Sequence, residues 1–269
     1  MTSAQDATVP VPAFPSQHVL LSSKGDVTTV TLNNPLRKNS MSDEGWQQLR
    51  EALDEVARSS ARVLVITGTD TDFCAGADLS GGPSEHHPLL NMRFINEACL
   101  ALHRMAIPVI ARVDGNAVGA GMNLALACDF VIATDRARFS EIFVKRGLSI
   151  DFGGSWLLPR LVGLHRAKAM VLLGDFVSAQ EALSLGIVRE VVAPEKIDDV
   201  VAELADRLLA GPPIAMSQSK RMLNDAFESS LDQALENEAR AQTINGSMDD
   251  AVEAANAFFE KRPPVFRGR

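Results

Sequence analysis

An α/β fold on a largely parallel sheet is predicted by two features of this 269-residue chain. From Arg62 to Ala133, short apolar runs alternate with segments of helical periodicity, the order that β–α–β crossovers produce. Beyond Gly153 the pattern becomes almost wholly helical, which suggests a strand-rich core followed by a helical region for packing or assembly. The chain accordingly divides into a disordered leader at 1–17, a core at 18–194 and a helical assembly region at 195–269.

Each element has its own signal. His18 to Leu32 alternates valine and threonine around Lys24-Gly25, as a β-hairpin does. Ser42-Asp43-Glu44 reads as a helix start, with Trp46, Leu49, Leu53 and Val56 on one face. Arg62–Thr67 is a short buried strand. After a loop over 68–88, Leu90, Phe94, Ala98 and Leu102 recur every fourth residue and mark a second helix. Pro108–Val113 is the next strand, followed by a glycine-bearing turn, a small-residue helix in GAGMNLALA, and a strand at Asp129–Ala133. The tail reads as helices over 165–173, 178–185, 195–210, 213–227, 230–246 and 249–260, interrupted by a strand at 187–192.

Composition narrows the function. The net charge of −8 repels phosphate backbones, so sequence-independent binding to nucleic acid or an anionic membrane is not expected. Three cysteines without a CxxC spacing argue against a disulfide framework or a zinc site and fit a reducing cytosol. The first residues have neither a basic region nor an apolar run, so they do not read as a signal peptide. No apolar stretch is long enough to span a bilayer. A cytoplasmic protein is the expectation.

Four segments carry chemistry: Asn34–Met41 (NPLRKNSM), Phe73–Leu79 (FCAGADL), Gly115–Asn123 (GNAVGAGMN) and Phe139–Gly163, which contains GLSIDFGGSWLLPRLVG. The second and third each follow a strand with a tight small-residue turn that can leave backbone N–H groups unpaired. The turn at 119–121 also opens a helix, whose N-terminus favours negative charge. Two such amides converging on one oxygen make an oxyanion hole, the device that stabilises an enolate or a tetrahedral thioester intermediate. Either turn alone is ordinary loop chemistry. Neither matches a phosphate-binding loop.

Together, in this order and at these spacings, the four segments resemble the crotonase (enoyl-CoA hydratase/isomerase) superfamily over roughly residues 18–269. The end of the chain, Phe258 to Phe266, is similar to the family's C-terminal signature. The resemblance implies a spiral of ββα units with a helical C-terminal trimerisation region, and assembly as a trimer or hexamer. It implies an acyl-CoA thioester as substrate, with coenzyme A part of that substrate, no further cofactor and no metal. It puts the oxyanion-hole amides at Ala77 and Ala120, where Ala120 replaces the middle glycine of a common GGG. It assigns CoA and acyl contacts to Arg37, Lys38, Ala75, Asp78, Leu79, Phe143, Trp156, Phe259 and Lys261. Arg37 and Lys38 are the cations suited to the nucleotide phosphates.

Two departures bear on the reaction. Hydratases of this family use two glutamates, and those positions here hold Asn123 and Phe143, neither of which transfers a proton at neutral pH. Asp151 instead matches the aspartate that PaaG-like and dienoyl-CoA isomerases place near the acyl chain. One carboxylate can take a proton from one carbon and return it to another, and burial against Phe143, Phe152 and Trp156 is expected to raise its pKa. Asp151 is thus the expected acid/base of a double-bond isomerase. The alternatives are an enoyl-CoA hydratase and a catalytically silent acyl-CoA-binding protein. Glu141 is a backup acid: in an extended segment, its even offset would put it on the face of Phe143. His86, His87, Asp70 and Asp72 read as loop residues, and Cys74 and Cys128 as small core residues.

Overall fold

A computed structural model describes residues 17–80 and 87–269. Nearly all of the expected leader, and His86, lie outside the described residues. The hairpin forms from β1 (Val19–Lys24) and β2 (Val27–Leu32), paired antiparallel. Helix α1 (Asp43–Arg58) follows, its Ser42 side chain accepting from the Gly45 N–H. Its Trp46, Leu49, Leu53 and Val56 are buried as the periodicity requires.

Strand β3 (Val63–Gly68) runs parallel to β2. Helix α2 (Pro88–His103) leads to β4 (Val109–Val113), β5 (Asn116–Val118), α3 (Ala120–Leu126), β6 (Phe130–Thr134) and β7 (Arg138–Ser140). Then come a 3-10 turn at Ile142–Arg146, α4 (Gly154–Val162), α5 (Leu164–Leu173), β8 (Val177–Ser178), α6 (Ala179–Ser184) and β9 (Glu190–Val192). The tail holds α7 (Ile197–Leu209), α8 (Pro213–Asp225), α9 (Leu231–Gly246) and α10 (Asp249–Glu260).

The main sheet has the order β1-β2-β3-β4-β6-β9, parallel from β2 onward, and a second sheet has the order β5-β7-β8. Two successive turns of the chain each give one strand to the main sheet, one to the small sheet, and then a helix: β4–β5–α3 and β6–β7–α4. Both faces of β3 are covered, which explains its uninterrupted apolar run. Leu64 and Ile66 join the large core under α1, α2 and α3, whereas Val63 and Val65 pack with Ile197, Val201 and Leu204 of α7.

The structure corrects several expectations. In α2 the buried residues are Ile95, Ala98 and Leu102, while Leu90 and Phe94 of the expected row are exposed. Strands β5, β7 and β8 are only two or three residues long and leave no periodic signal. Helix α4 was masked by its Gly-Gly start and internal Pro159. The segment after Glu141 is a 3-10 turn and not extended.

Candidate active site

The loop after β2 is organised by Asn39, whose fully buried side chain accepts from the Asn34 N–H and donates to the Thr69 and Asp72 carbonyls. That hub ties the NPLRKN loop to the loop after β3. Asp72 in turn accepts from the backbone and side chain of Asn116. Its role is to brace the two glycine turns against each other. The FCAG segment is stitched on both sides: Cys74 N–H donates to Asn116, Val118 N–H to Cys74, and Ala75 N–H to Lys38.

These bonds bring the two turns within contact distance. A Cβ on Gly76 would lie 2.8 Å from the Val118 carbonyl and 3.5 Å from the Ala120 nitrogen, and one on Gly121 only 2.2 Å from the Cys74 carbonyl. Both glycines are needed for that approach. The bridge between Met41 and Ala77 runs from Met41 N–H to Gly76 O and from Asp78 N–H to Met41 O, so it does not use the Ala77 N–H. Ala120 is the first residue of α3, where backbone N–H groups lack an intrahelical acceptor. A cleft of about 330 Å³ opens over them, lined by Lys38, Ala75, Ala77, Leu79, Ala120 and Phe143 among the expected residues. The Phe143 ring covers the turn, 3.5 Å from where a Gly119 Cβ would be.

The cleft also has lining that sequence reasoning missed: Asn116, Ile142, Arg146, Leu148 and Phe176. Arg146 is a second cation beside Lys38, and the Arg138 guanidinium lies 4.2 Å from the Phe176 ring centre. Arg37, Asp78 and the two candidate acids, Asp151 and Glu141, are not part of the lining. Trp156 lines a different, larger cavity of about 570 Å³ between α3, α4 and α8, where its Nε1 donates to Glu228 and Arg160 stacks on its ring. Phe259 is 79% exposed near the end of α10 and Lys261 caps that helix, so neither reaches the cleft of its own chain.

One turn along α3 from Ala120, the fully buried Asn123 side chain joins the two candidate acids. Its Nδ2 donates to the main-chain oxygen of Asp151 at 3.0 Å and to Glu141 Oε2 at 3.4 Å. Gly154 makes room for it, since a Cβ there would be 2.4 Å from the Asn123 amide. Asp151 begins a strained turn. Phe152 has φ 46° and Gly153 φ 77°, the first a rare conformation for a bulky residue. Burial of Phe152 against Trp46, with ring centres 4.9 Å apart, holds it there. Burial pushes the Asp151 carboxyl up to about 6. Glu141 is fully buried, and desolvation raises it to about 8, against a lowering bond from Asn123 and with a further raise from Asp151. Cys74 is buried, and desolvation pushes its thiol up to about 12; Cys128 is raised too, so both thiols are kept neutral.

A model of the enoyl-CoA hydratase/isomerase family matches residues 22–269, nearly the whole chain. The chain belongs to that family. It is 40% identical over 250 residues to the 1,2-epoxyphenylacetyl-CoA isomerase of Escherichia coli, covering 90% of this chain and 95% of the relative. It is 33% identical to the short-chain-enoyl-CoA hydratase of Clostridium acetobutylicum, covering 91% and 95%. The solved structure of enoyl-CoA hydratase from Bacillus anthracis superimposes with a TM-score of 0.90 at 31% identity, covering 94% of this chain and all of that one. The two-sheet architecture is therefore the crotonase fold of the enoyl-CoA hydratase/isomerase family. The named relatives include both an isomerase and hydratases, so the reaction has to be argued from the residues of this site.

Proposed function

We propose that this family member moves the double bond of an enoyl-CoA thioester, with Asp151 as the single acid/base. The thioester oxygen sits between the N–H groups of Ala77 and Ala120, and CoA lies along the cleft past Lys38 and Arg146. Asp151 takes a proton from the α-carbon of a 3-enoyl thioester. The resulting dienolate carries its negative charge on the oxygen held by the two amides. Return of the same proton to the γ-carbon gives the 2-enoyl product, and the reverse follows the same path. No water is consumed.

The observation that carries this reading is the distribution of carboxyl groups. A half-buried Asp151 with its pKa raised to about 6 is held through its main-chain oxygen by Asn123, and positions 123 and 143 carry Asn and Phe where hydratases of the family carry the acids that activate water. A group titrating near 6 is ionised at neutral pH and still holds a transferred proton well enough to deliver it. The relative at 40% identity is named an isomerase of an epoxyacyl-CoA, and isomerisation, like the step proposed here, consumes no water.

Asp151→Asn tests it. The change keeps size and hydrogen bonding but removes the proton acceptor, so isomerisation of 3-enoyl-CoA falls by about 10²–10⁴-fold or more. Affinity for a saturated acyl-CoA, read by calorimetry, stays within a few-fold. Because Asp151 must be ionised to act, kcat/KM of the unaltered protein rises with pH through about 6. An Asp151→Asn variant with undiminished isomerisation contradicts the assignment.

A further inference from the structure

Among the described residues, Asn123 Oδ1, Glu141 Oε1 and Asp151 Oδ1 are buried side-chain atoms without a hydrogen-bond partner, and the Asn123 side chain touches both of the other residues. Asn123 and Glu141 are both fully buried. The two donors of the Asn123 amide are already committed, one to Glu141 Oε2 and one to the Asp151 carbonyl. If Glu141 is ionised, its remaining oxygen and the Asn123 oxygen are both acceptors, and neither has a donor. A proton on Glu141 Oε1 resolves this, because the carboxylic O–H then donates to Asn123 Oδ1 while Asn123 Nδ2 donates to Glu141 Oε2. The result is a reciprocal two-bond acid–amide pair.

We propose that Glu141 is a positioning residue that carries its proton and, paired with Asn123, fixes the segment bearing Asp151. Asn123 can hold the Asp151 carbonyl only if its own amide plane is fixed, and the second bond of the pair fixes it. The neutral form of Glu141 also keeps a second negative charge away from Asp151. The surroundings agree. Helix α3 contributes the neutral Asn123, and α2 contributes Cys99, whose thiol is raised to about 11 by burial and by Asp151. The Cys99 thiol contacts the Phe152 carbonyl, and α1 contributes the Trp46 ring behind Phe152. Among the described residues, no cation is among the groups that act on either carboxyl, so nothing favours a doubly charged pair. Burial, with help from Asp151, holds the Glu141 carboxyl near 8, well above its ordinary range. A Glu141 that keeps its proton in this pair does not serve as a spare base for hydration.

This role deepens the isomerase reading and rests on it for the kinetic test only. Glutamine reproduces a protonated glutamate in this pairing, since its amide donates to Asn123 Oδ1 and its oxygen accepts from Asn123 Nδ2. Infrared difference spectra of full-length wild type against Glu141→Gln at neutral pH are expected to show a protonated-carboxyl band in wild type alone, lost as pH rises through about 8. Wild-type kcat/KM falls over the same range, because ionised Glu141 breaks the pair. Glu141→Gln keeps neutral-pH turnover within a few-fold and lacks that alkaline limb, while Glu141→Ala loses turnover that glutamine restores. If Glu141→Gln is as inactive as Asp151→Asn, Glu141 transfers protons itself and the proposal fails. It also fails if wild type shows no such band at neutral pH. Should wild type isomerise nothing, the isomerase reading falls, and the infrared result still decides the state of Glu141.

Discussion

At the scale of residues, the replacements at 123 and 143 and the aspartate at 151 were legible as departures within a motif. The partner of Glu141 was not, because the sequence gives no sign that the chain turns into a 3-10 helix at Ile142. That turn lays Phe143 over Gly119 and leaves Glu141 facing Asn123. The small residues of the site make a prediction of their own. A methyl on Gly121 would collide with the Cys74 carbonyl, which is main chain and cannot rotate away. Gly121→Ala should cost about 1–3 kcal/mol by overpacking, read as a lower urea midpoint. It should also weaken turnover by spreading the two amides. The sign of the pH effect on stability follows from Glu141. Its folded pKa of about 8 lies above the ordinary 4.5, so the folded state binds more protons between those values. Its contribution to stability is complete below about 4.5 and is lost as pH rises to about 8. Urea unfolding across that window should show this slope in wild type and a smaller one in Glu141→Gln.

At the scale of elements, the hairpin, α1, β3, β4, α3 and β6 were readable because each has a full period of buried positions. The strands of the small sheet were not, since two or three residues cannot display alternation. They are set by pairing, as when Asn116–Val118 aligns with Arg138–Ser140. Helix α8 shows a different kind of determinant. It has no fully buried residue, and a polar anchor fastens it: Lys220 Nζ donates to the Asp129 carboxylate at 2.6 Å and to the Ile107 carbonyl at 2.9 Å. Asp129 also accepts from the Val109 N–H at the start of β4. Lys220→Met keeps the aliphatic stem and removes the anchor. It should cost roughly 1–3 kcal/mol and speed proteolysis within 213–225, with little change in thioester affinity.

At the scale of the whole molecule, a helical tail was legible in the sequence, but its assembly was not, because surface apolar residues have no periodic partner within one chain. In the single chain Leu223, Phe227, Leu231, Leu235, Ile244, Val252, Phe258 and Phe259 all stand exposed along α8–α10. So much exposed apolar surface on one region marks an interaction face. We propose that it closes against further copies of the chain, as a trimer or hexamer. Light scattering at micromolar concentration should give a multiple of 28.9 kDa, and a monomer would contradict this. Removal of residues 249–269 should then lower the mass. It should also lower CoA affinity if Phe259 and Lys261 reach a neighbouring cleft.

The proposed reaction moves a double bond and does not add water. Mass spectrometry of wild-type product from 3-enoyl-CoA and from 2-enoyl-CoA separates the two outcomes, because migration leaves the mass unchanged and hydration adds one water. The expected result is interconversion of the two enoyl thioesters at constant mass, lost in Asp151→Asn. Rapid accumulation of a product one water heavier, persisting in Asp151→Asn, would contradict it.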